Sequence, residues 1–262
     1  MMSYDLITIL GPTACGKTTV AAHLAKRLDG EVISADSRQL YRGMTIGSGK
    51  DLKDYHITET DPATGATHTT EVPYHLIDIR DCGYRFNVYE FQCEFMKAYM
   101  DIKARGKLPI LCGGTGLYIE SVLKAYELGS VGIPHYTSLT IGLEISRELR
   151  RQRITDRLYA RMEEGMVDEV RTLLTQVTPD RLIRYGLEYK FVTLYLIGQL
   201  SYDEMLRQLE IAIHQFAKRQ MTWFRGMEQR GTHIEWIDAT LPIEEKVEAI
   251  VKRAAEAKST LT

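Results

Sequence analysis

Gly11-Pro12-Thr13-Ala14-Cys15-Gly16-Lys17-Thr18 fits the pattern G-x-x-x-x-G-K-[ST] in full, and its surroundings decide how it is read. Residues 6–10 ahead of it form a short apolar run, and residues 19–28 behind it carry Val20, Leu24 and Leu28 at helical spacing. The order strand, glycine-rich loop, helix is the setting in which backbone N–H groups and a helix N-terminus face an anion. Lys17 adds a positive charge and the Thr18 hydroxyl is a ligand for Mg²⁺. A diphosphate or polyphosphate bound with Mg²⁺ is therefore expected at Gly11, Pro12, Thr13, Ala14, Cys15, Gly16, Lys17 and Thr18. The reaction stays open, because such a loop grips any diphosphate.

Working outward, further strands are predicted at 31–35, 74–79, 108–112 and 140–145, with a helix over 86–105. Strands alternating with helices imply an α/β fold, a parallel sheet of the P-loop NTPase kind with helices on both faces. The rest reads as mainly helical, over 147–174, 182–197, 201–225 and 243–258, with a last strand at 234–237 placing Ile234 and Trp236 on one face. Residues 51–71 are polar and turn-rich, an exposed hairpin or flap in which no chemistry is legible.

A chain of 262 residues, 44% hydrophobic, suffices for one large domain spanning 1–262. The net charge of −2 gives no overall basic field, so nucleic-acid binding requires a local patch. The cysteines, Cys15, Cys82, Cys93 and Cys112, form no C-x-x-C pair, which disfavours zinc and a disulfide framework and points to a reducing compartment. Residues 1–10 read as a first buried strand with no targeting signal, and a cytoplasmic protein without membrane association is expected.

Asp36 follows the second strand, at the edge where parallel sheets bind ligands. Beside a phosphate loop its carboxylate can hold Mg²⁺ through water or take a proton from a nucleophile, or it can simply cap a following helix. After the strand at 108–112, Gly113, Gly114 and Gly116 surround Thr115. That pattern suggests close backbone approach to a ligand with the Thr115 hydroxyl on a phosphate oxygen, or else a helix N-cap.

The runs GPTACGKT, SADSRQLYRGMTIGSGK, VPYHLIDI, RGKLPILCGGTGLYIES and AKRQMTWFR, in that order, resemble the signature segments of the tRNA dimethylallyltransferase family, also called tRNA isopentenyltransferases. The resemblance implies transfer of a dimethylallyl group from dimethylallyl diphosphate to the N6 amine of the adenosine beside the anticodon, position 37, with release of diphosphate. It implies Asp36 as general base, with Lys17 and Thr115 as catalytic partners at the leaving group. Ser37, Arg38 and Gln39 would line the pocket of a flipped-out adenine. It further implies Lys218, Arg219, Gln220 and Trp223 on tRNA, and Arg184 and Arg225 on diphosphate, with Lys190 a substitute for Arg184. A monomer acting on the anticodon arm is expected.

Arg150, Arg153, Arg157 and Arg161 share one helix face and are expected on RNA phosphates or on a solvated face paired to Glu163, Glu164 or Asp168. Leu206, Leu209, Ile213 and Phe216 are expected as the core stripe of the long helix at 201–225, and His214 as a structural or solvent-facing residue. Residues 125–139 form only a short connection where the family carries a helical insertion that clasps tRNA. Two alternatives stay open: dimethylallyl transfer to a free adenine nucleotide, and a small-molecule kinase. The kinase is disfavoured by the absence of an acidic residue after the fourth strand.

Overall fold

The computed structural model describes residues 4–129, 132 and 134–256. Part of the connection at 125–139 and the last two residues of the helix predicted over 243–258 lie outside them. In chain order the elements begin with β1 (Leu6–Leu10), α1 (Lys17–Leu28) and β2 (Gly30–Ser34). A 3-10 turn (Leu52–Tyr55) leads into β3 (His56–Thr60), β4 (Thr67–Glu71) and β5 (Tyr74–His75), followed by α2 (Val88–Ala104), β6 (Leu108–Gly113), α3 (Gly116–Leu123) and β7 (Ser138–Glu144). The helical part runs α4 (Arg147–Glu163), α5 (Met166–Leu173), α6 (Pro179–Leu182), α7 (Leu187–Leu196) and α8 (Tyr202–Gln229), and closes with β8 (Glu235–Asp238) and α9 (Ile243–Glu256).

Six strands pair in the order β5-β2-β6-β1-β7-β8, every pair parallel. Burial on both sides explains why the strands read as continuous apolar runs. Ile7 and Ile9 of β1 point into a core closed by α1 and α9, whereas Leu6 and Leu10 point into a larger one closed by α2, α3, α4, α5, α7 and α8. The excursion at 51–71 is an antiparallel hairpin, with His56 opposite Glu71 and Thr60 opposite Thr67. Ile234 and Trp236 do share the face toward the larger core.

Four expectations change. The strand over 74–79 shrinks to two residues, because Leu76 and Asp78 take left-handed backbone (φ +63° and +55°). Asp78 instead holds the buried Lys50 ammonium at 2.5 Å, and Lys50 also donates to the Tyr41 carbonyl. The helix over 147–174 is two helices meeting at Gly165 (φ +99°), and the one over 182–197 breaks at 183–186. In α8 the buried stripe is Met205, Leu209, Ile213, Ala217 and Phe224, and Phe216 is only partly buried. Its ring lies under the Arg38 guanidinium, 5.6 Å away.

Candidate active site

The carboxyl ends of β1, β2 and β6 meet at one edge, and the loops that leave them are sewn together. Thr115 stands at the N-cap position of α3, yet its hydroxyl makes no cap bond. It accepts from the Ser37 N–H at 3.1 Å, and the Thr115 N–H donates to the Ala35 carbonyl at 3.2 Å. The glycines around it serve protein contacts rather than ligand approach. A Cβ on Gly113 would lie 2.3 Å from the Ala35 oxygen, and one on Gly116 would lie 2.2 Å from the Trp223 ring. Asp36 caps no helix; its Oδ1 accepts from the Arg38 N–H at 3.0 Å and leaves the rest of the carboxylate at the sheet edge.

Gln220 of α8 clamps two of these loops. Its Oε1 accepts from the Thr13 N–H and its Nε2 donates to the Gly114 carbonyl, both at 2.9 Å. Both ends of the amide are thus engaged inside the protein, unlike the exposed contact expected for RNA. Gln39 likewise joins Ser34 (2.8 Å) to the Gly49 carbonyl (3.1 Å). The segment before Gly49 is fixed from below by Glu169, whose carboxylate accepts the N–H groups of Thr45, Ile46 and Gly47 at 2.9, 2.7 and 3.1 Å.

Two cavities open on this edge. The first is polar and is lined by Thr13, Lys17, Thr18 and Asp36, by Arg38, Gln39, Ser48 and Gly49, and by Arg157 and Arg161. Lys17 Nζ there lies 3.4 Å from the Pro12 carbonyl, turned back over its own loop. The second, about 360 Å³, is lined by Asp36, Ser37, Arg38, Thr115 and Gln220 and by the carbon-rich side chains of Ile183, Tyr185, Leu187 and Phe216. Asp36 and Arg38 belong to both walls. Arg38 is partly buried and donates to Glu188 at 2.8 Å, with its Nε 3.6 Å from Asp36. Burial works against its charge, but Glu188 and Asp36 outweigh that and hold the guanidinium firmly protonated. Burial also pushes the Cys112 thiol, on the floor of the polar cavity, up to about 12, so it stays neutral.

Several expected residues lie elsewhere. Arg184 and Lys190 line the second cavity, not the phosphate-loop side. Arg225 is exposed on α8, close enough to Arg150 to disfavour that residue's charge, and lines neither cavity. Lys218, Arg219 and Trp223 line a separate open groove of about 850 Å³ between α3 and α8, with Trp223 40% exposed. His214 sits partly buried, 3.7 Å from Glu210. The surprise is α4. Arg157 and Arg161, expected on RNA or in solvent, point into the polar cavity, and the Gly49 segment was not legible as its wall. The three-and-four spacing of the arginines was the available signal, but their aim depends on how α4 packs.

Among the described residues no group of three or more His, Cys, Asp or Glu could cage a metal ion, and no helix is long and apolar enough to cross a membrane. The Thr18 hydroxyl and the Asp36 carboxylate line the same cavity and are hard oxygen donors of the kind Mg²⁺ would take.

Residues 39–134 and 127–227 match the family model described as IPP transferase, and residues 4–60 match one described as isopentenyl transferase. The tRNA dimethylallyltransferase 1 of Parabacteroides distasonis is 52% identical, over 94% of this chain and 96% of that one. Its alignment runs to 306 positions, longer than the 262 residues here, so the relative carries residues without a counterpart. The tRNA dimethylallyltransferase 2 of Bacteroides fragilis is 48% identical over 98% of this chain and 100% of its own. The crystal structure of the full-length tRNA isopentenylpyrophosphate transferase of Bacillus halodurans superposes with a TM-score of 0.81 at 30% identity, covering 98% of each chain.

Proposed function

The chain belongs to the IPP transferase family and is a prenyltransferase that places dimethylallyl groups on tRNA, and from that premise we propose how its residues perform the reaction. The acceptor atom is N6 of adenosine 37, beside the anticodon, and the donor is dimethylallyl diphosphate. The observation that carries this reading is the position of Asp36 on the shared wall of a charged cavity and a carbon-rich one. Diphosphate belongs in the first, against the N–H groups of the loop at 11–18 and the Lys17 ammonium. The dimethylallyl chain and the adenine belong in the second, against Ile183, Tyr185, Leu187 and Phe216.

At the junction the C1–O bond of the donor breaks and its electron pair leaves on the diphosphate oxygen, while N6 forms the new bond to C1. The proton that N6 loses goes to the Asp36 carboxylate. Lys17 and the loop N–H groups meet the negative charge that grows on the leaving oxygen, where preorganised donors act most strongly. The Thr115 hydroxyl, fixed by Ser37, keeps the Asp36 loop in place and presents a donor to the leaving group or the base. Mg²⁺, when bound at Thr18, supplies further neutralisation of the diphosphate. Arg38 seals the wall between the cavities and keeps water from the allylic cation.

The acceptor arm lies along the groove between α3 and α8, where Lys218 and Arg219 meet backbone phosphates and Trp223 offers an aromatic face. Every described residue of both cavities comes from one chain, which supports a monomer as the active unit. The two family segments meet at 127–134, which supports the reading of 125–139 as a short replacement for a helical insertion. Digestion of the tRNA product to nucleosides and mass spectrometry tests the acceptor. Isopentenyladenosine from a tRNA with adenosine 37, and none from the guanosine 37 variant, is the expected pair of results; prenylation of the guanosine variant would overturn the assignment.

A further inference from the structure

Between Gly43 and Gly49, both in left-handed backbone (φ +77° and +70°), the chain forms a strap that belongs to no strand or helix. Backbone N–H groups in such a segment need partners from elsewhere. Three in a row find the same one. The Glu169 carboxylate, carried on the first turn of α5, takes Thr45 and Ile46 on Oε2 and Gly47 on Oε1. Successive N–H groups that converge in this way make a concave seat for an anion, and bonds to a charged acceptor are among the stronger ones. Oε1 also accepts from the Tyr189 hydroxyl at 2.9 Å, and Tyr189 is completely buried. Burial and the Glu169 charge hold that hydroxyl protonated, so it remains a donor. The strap lies hard against it: a Cβ on Gly47 would come within 2.8 Å of the Tyr189 ring.

The far end of the strap is tied to the carboxyl edge of the sheet. The Gly49 carbonyl accepts from Gln39 Nε2 at 3.1 Å, and Gln39 Oε1 accepts from the Ser34 hydroxyl at 2.8 Å. The Ser34 oxygen accepts in turn from the Asp36 N–H at 3.4 Å. We propose that Glu169 is a positioning residue for the transfer: seated in the strap, it fixes the Gly49 carbonyl, and through Gln39 and Ser34 it sets where the Asp36 carboxylate stands between the two cavities. This rests on the reading of Asp36 as the proton acceptor. Both ends of the Gln39 amide are committed, so a displacement of Gly49 passes on to Ser34 instead of being absorbed. A shift of about 1 Å at a reacting group is enough to slow chemistry about 10²-fold.

The test is the single-turnover transfer rate, at saturating dimethylallyl diphosphate and tRNA, of the full chain and its Glu169→Ala, Glu169→Gln and Gln39→Ala variants and of the double variant Glu169→Ala, Gln39→Ala. KM for tRNA and a thermal melt are recorded for each. Glu169→Ala is expected to slow transfer about 10- to 100-fold with KM for tRNA within about twofold of the parent. Glu169→Gln can still accept from Thr45 and Ile46 but turns an amide N–H toward that of Gly47, and its rate should fall between those of Glu169→Ala and the parent. The double variant should be no slower than the slower single one, because both substitutions cut the same chain of bonds. Full multiplication of the two effects, or a parental rate in Glu169→Ala, overturns the proposal. Should Glu169→Ala fail to fold, the same cycle run with Glu169→Gln decides. Asp36→Ala is measured beside them. A parental rate there removes the proton acceptor and the proposal with it, whereas a slow Asp36→Ala with Glu169 indifferent removes only the positioning role.

Discussion

The two cavities that share Asp36 and Arg38 are built on opposite principles. The polar one is assembled from backbone N–H groups and cations that converge from five places along the chain, and it is closed tightly around them. Its neighbour is roomier, and there Ile183, Tyr185, Leu187 and Phe216 share the wall with Asp36, Arg184 and Lys190. A charged leaving group and a flat or branched apolar group need these two environments at the same moment. Placing a carboxylate on the boundary lets proton removal and leaving-group departure proceed within one geometry.

Substitutions can separate the two halves. Asp36→Ala strikes the boundary and is expected to lower turnover about 10²–10⁴-fold while pyrophosphate affinity stays as it was, measured by single-turnover transfer and by titration. Equal turnover would take Asp36 out of the chemistry. Lys17→Ala strikes only the polar side and should slow transfer about 10²–10³-fold and weaken pyrophosphate together. Full pyrophosphate affinity in that variant would mean that the two cavities have been assigned the wrong way round. Gln220→Ala releases the Thr13 N–H and the Gly114 carbonyl at once, and chemical denaturation should show a loss of about 1–3 kcal/mol. Unaltered stability would show that the clamp is redundant. The smallest change belongs to the outer groove, where the pair Lys218→Ala, Arg219→Ala should reduce the log–log salt slope of tRNA binding by about 1–2 and leave pyrophosphate untouched. A constant slope would move the RNA off α8.

How much of this was written in the chain differs between the two sides. The loop at 11–18 is contiguous, and its setting between apolar strand and helix is local, so both its conformation and its ligand class are readable from eight residues. Asp36 and Thr115 stand directly after strands, and a parallel sheet brings strand ends together. The hairpin at 56–71 was foreseen as one of two options. What could not be read depends on packing over long separations. Glu169 caps the segment at 45–47 from more than a hundred residues away, and Asp51 meets Arg157 over a similar span. The arginines of α4 announce one helix face, but only the docking of that helix says that Arg157 and Arg161 turn inward. Arg184 and Arg225 were carried over by resemblance to the diphosphate, and the fold places one in the carbon-rich cavity and the other in solvent beside Arg150. Gln220 shows the same limit from another side: its segment reads as an RNA-facing helix, yet one face of each turn, with Ala217, Gln220 and Phe224, points to the core.

The short connection at 125–139 makes the acceptor the point on which everything turns. Labelled dimethylallyl diphosphate and Mg²⁺ offered with unmodified tRNA in one reaction and with AMP in another give a direct answer. Label in tRNA and none in AMP is the expected result, and it would mean that the groove between α3 and α8 suffices to hold the anticodon arm. Label in AMP and none in tRNA would contradict it, and would make the same two cavities the site of an enzyme for free nucleotides.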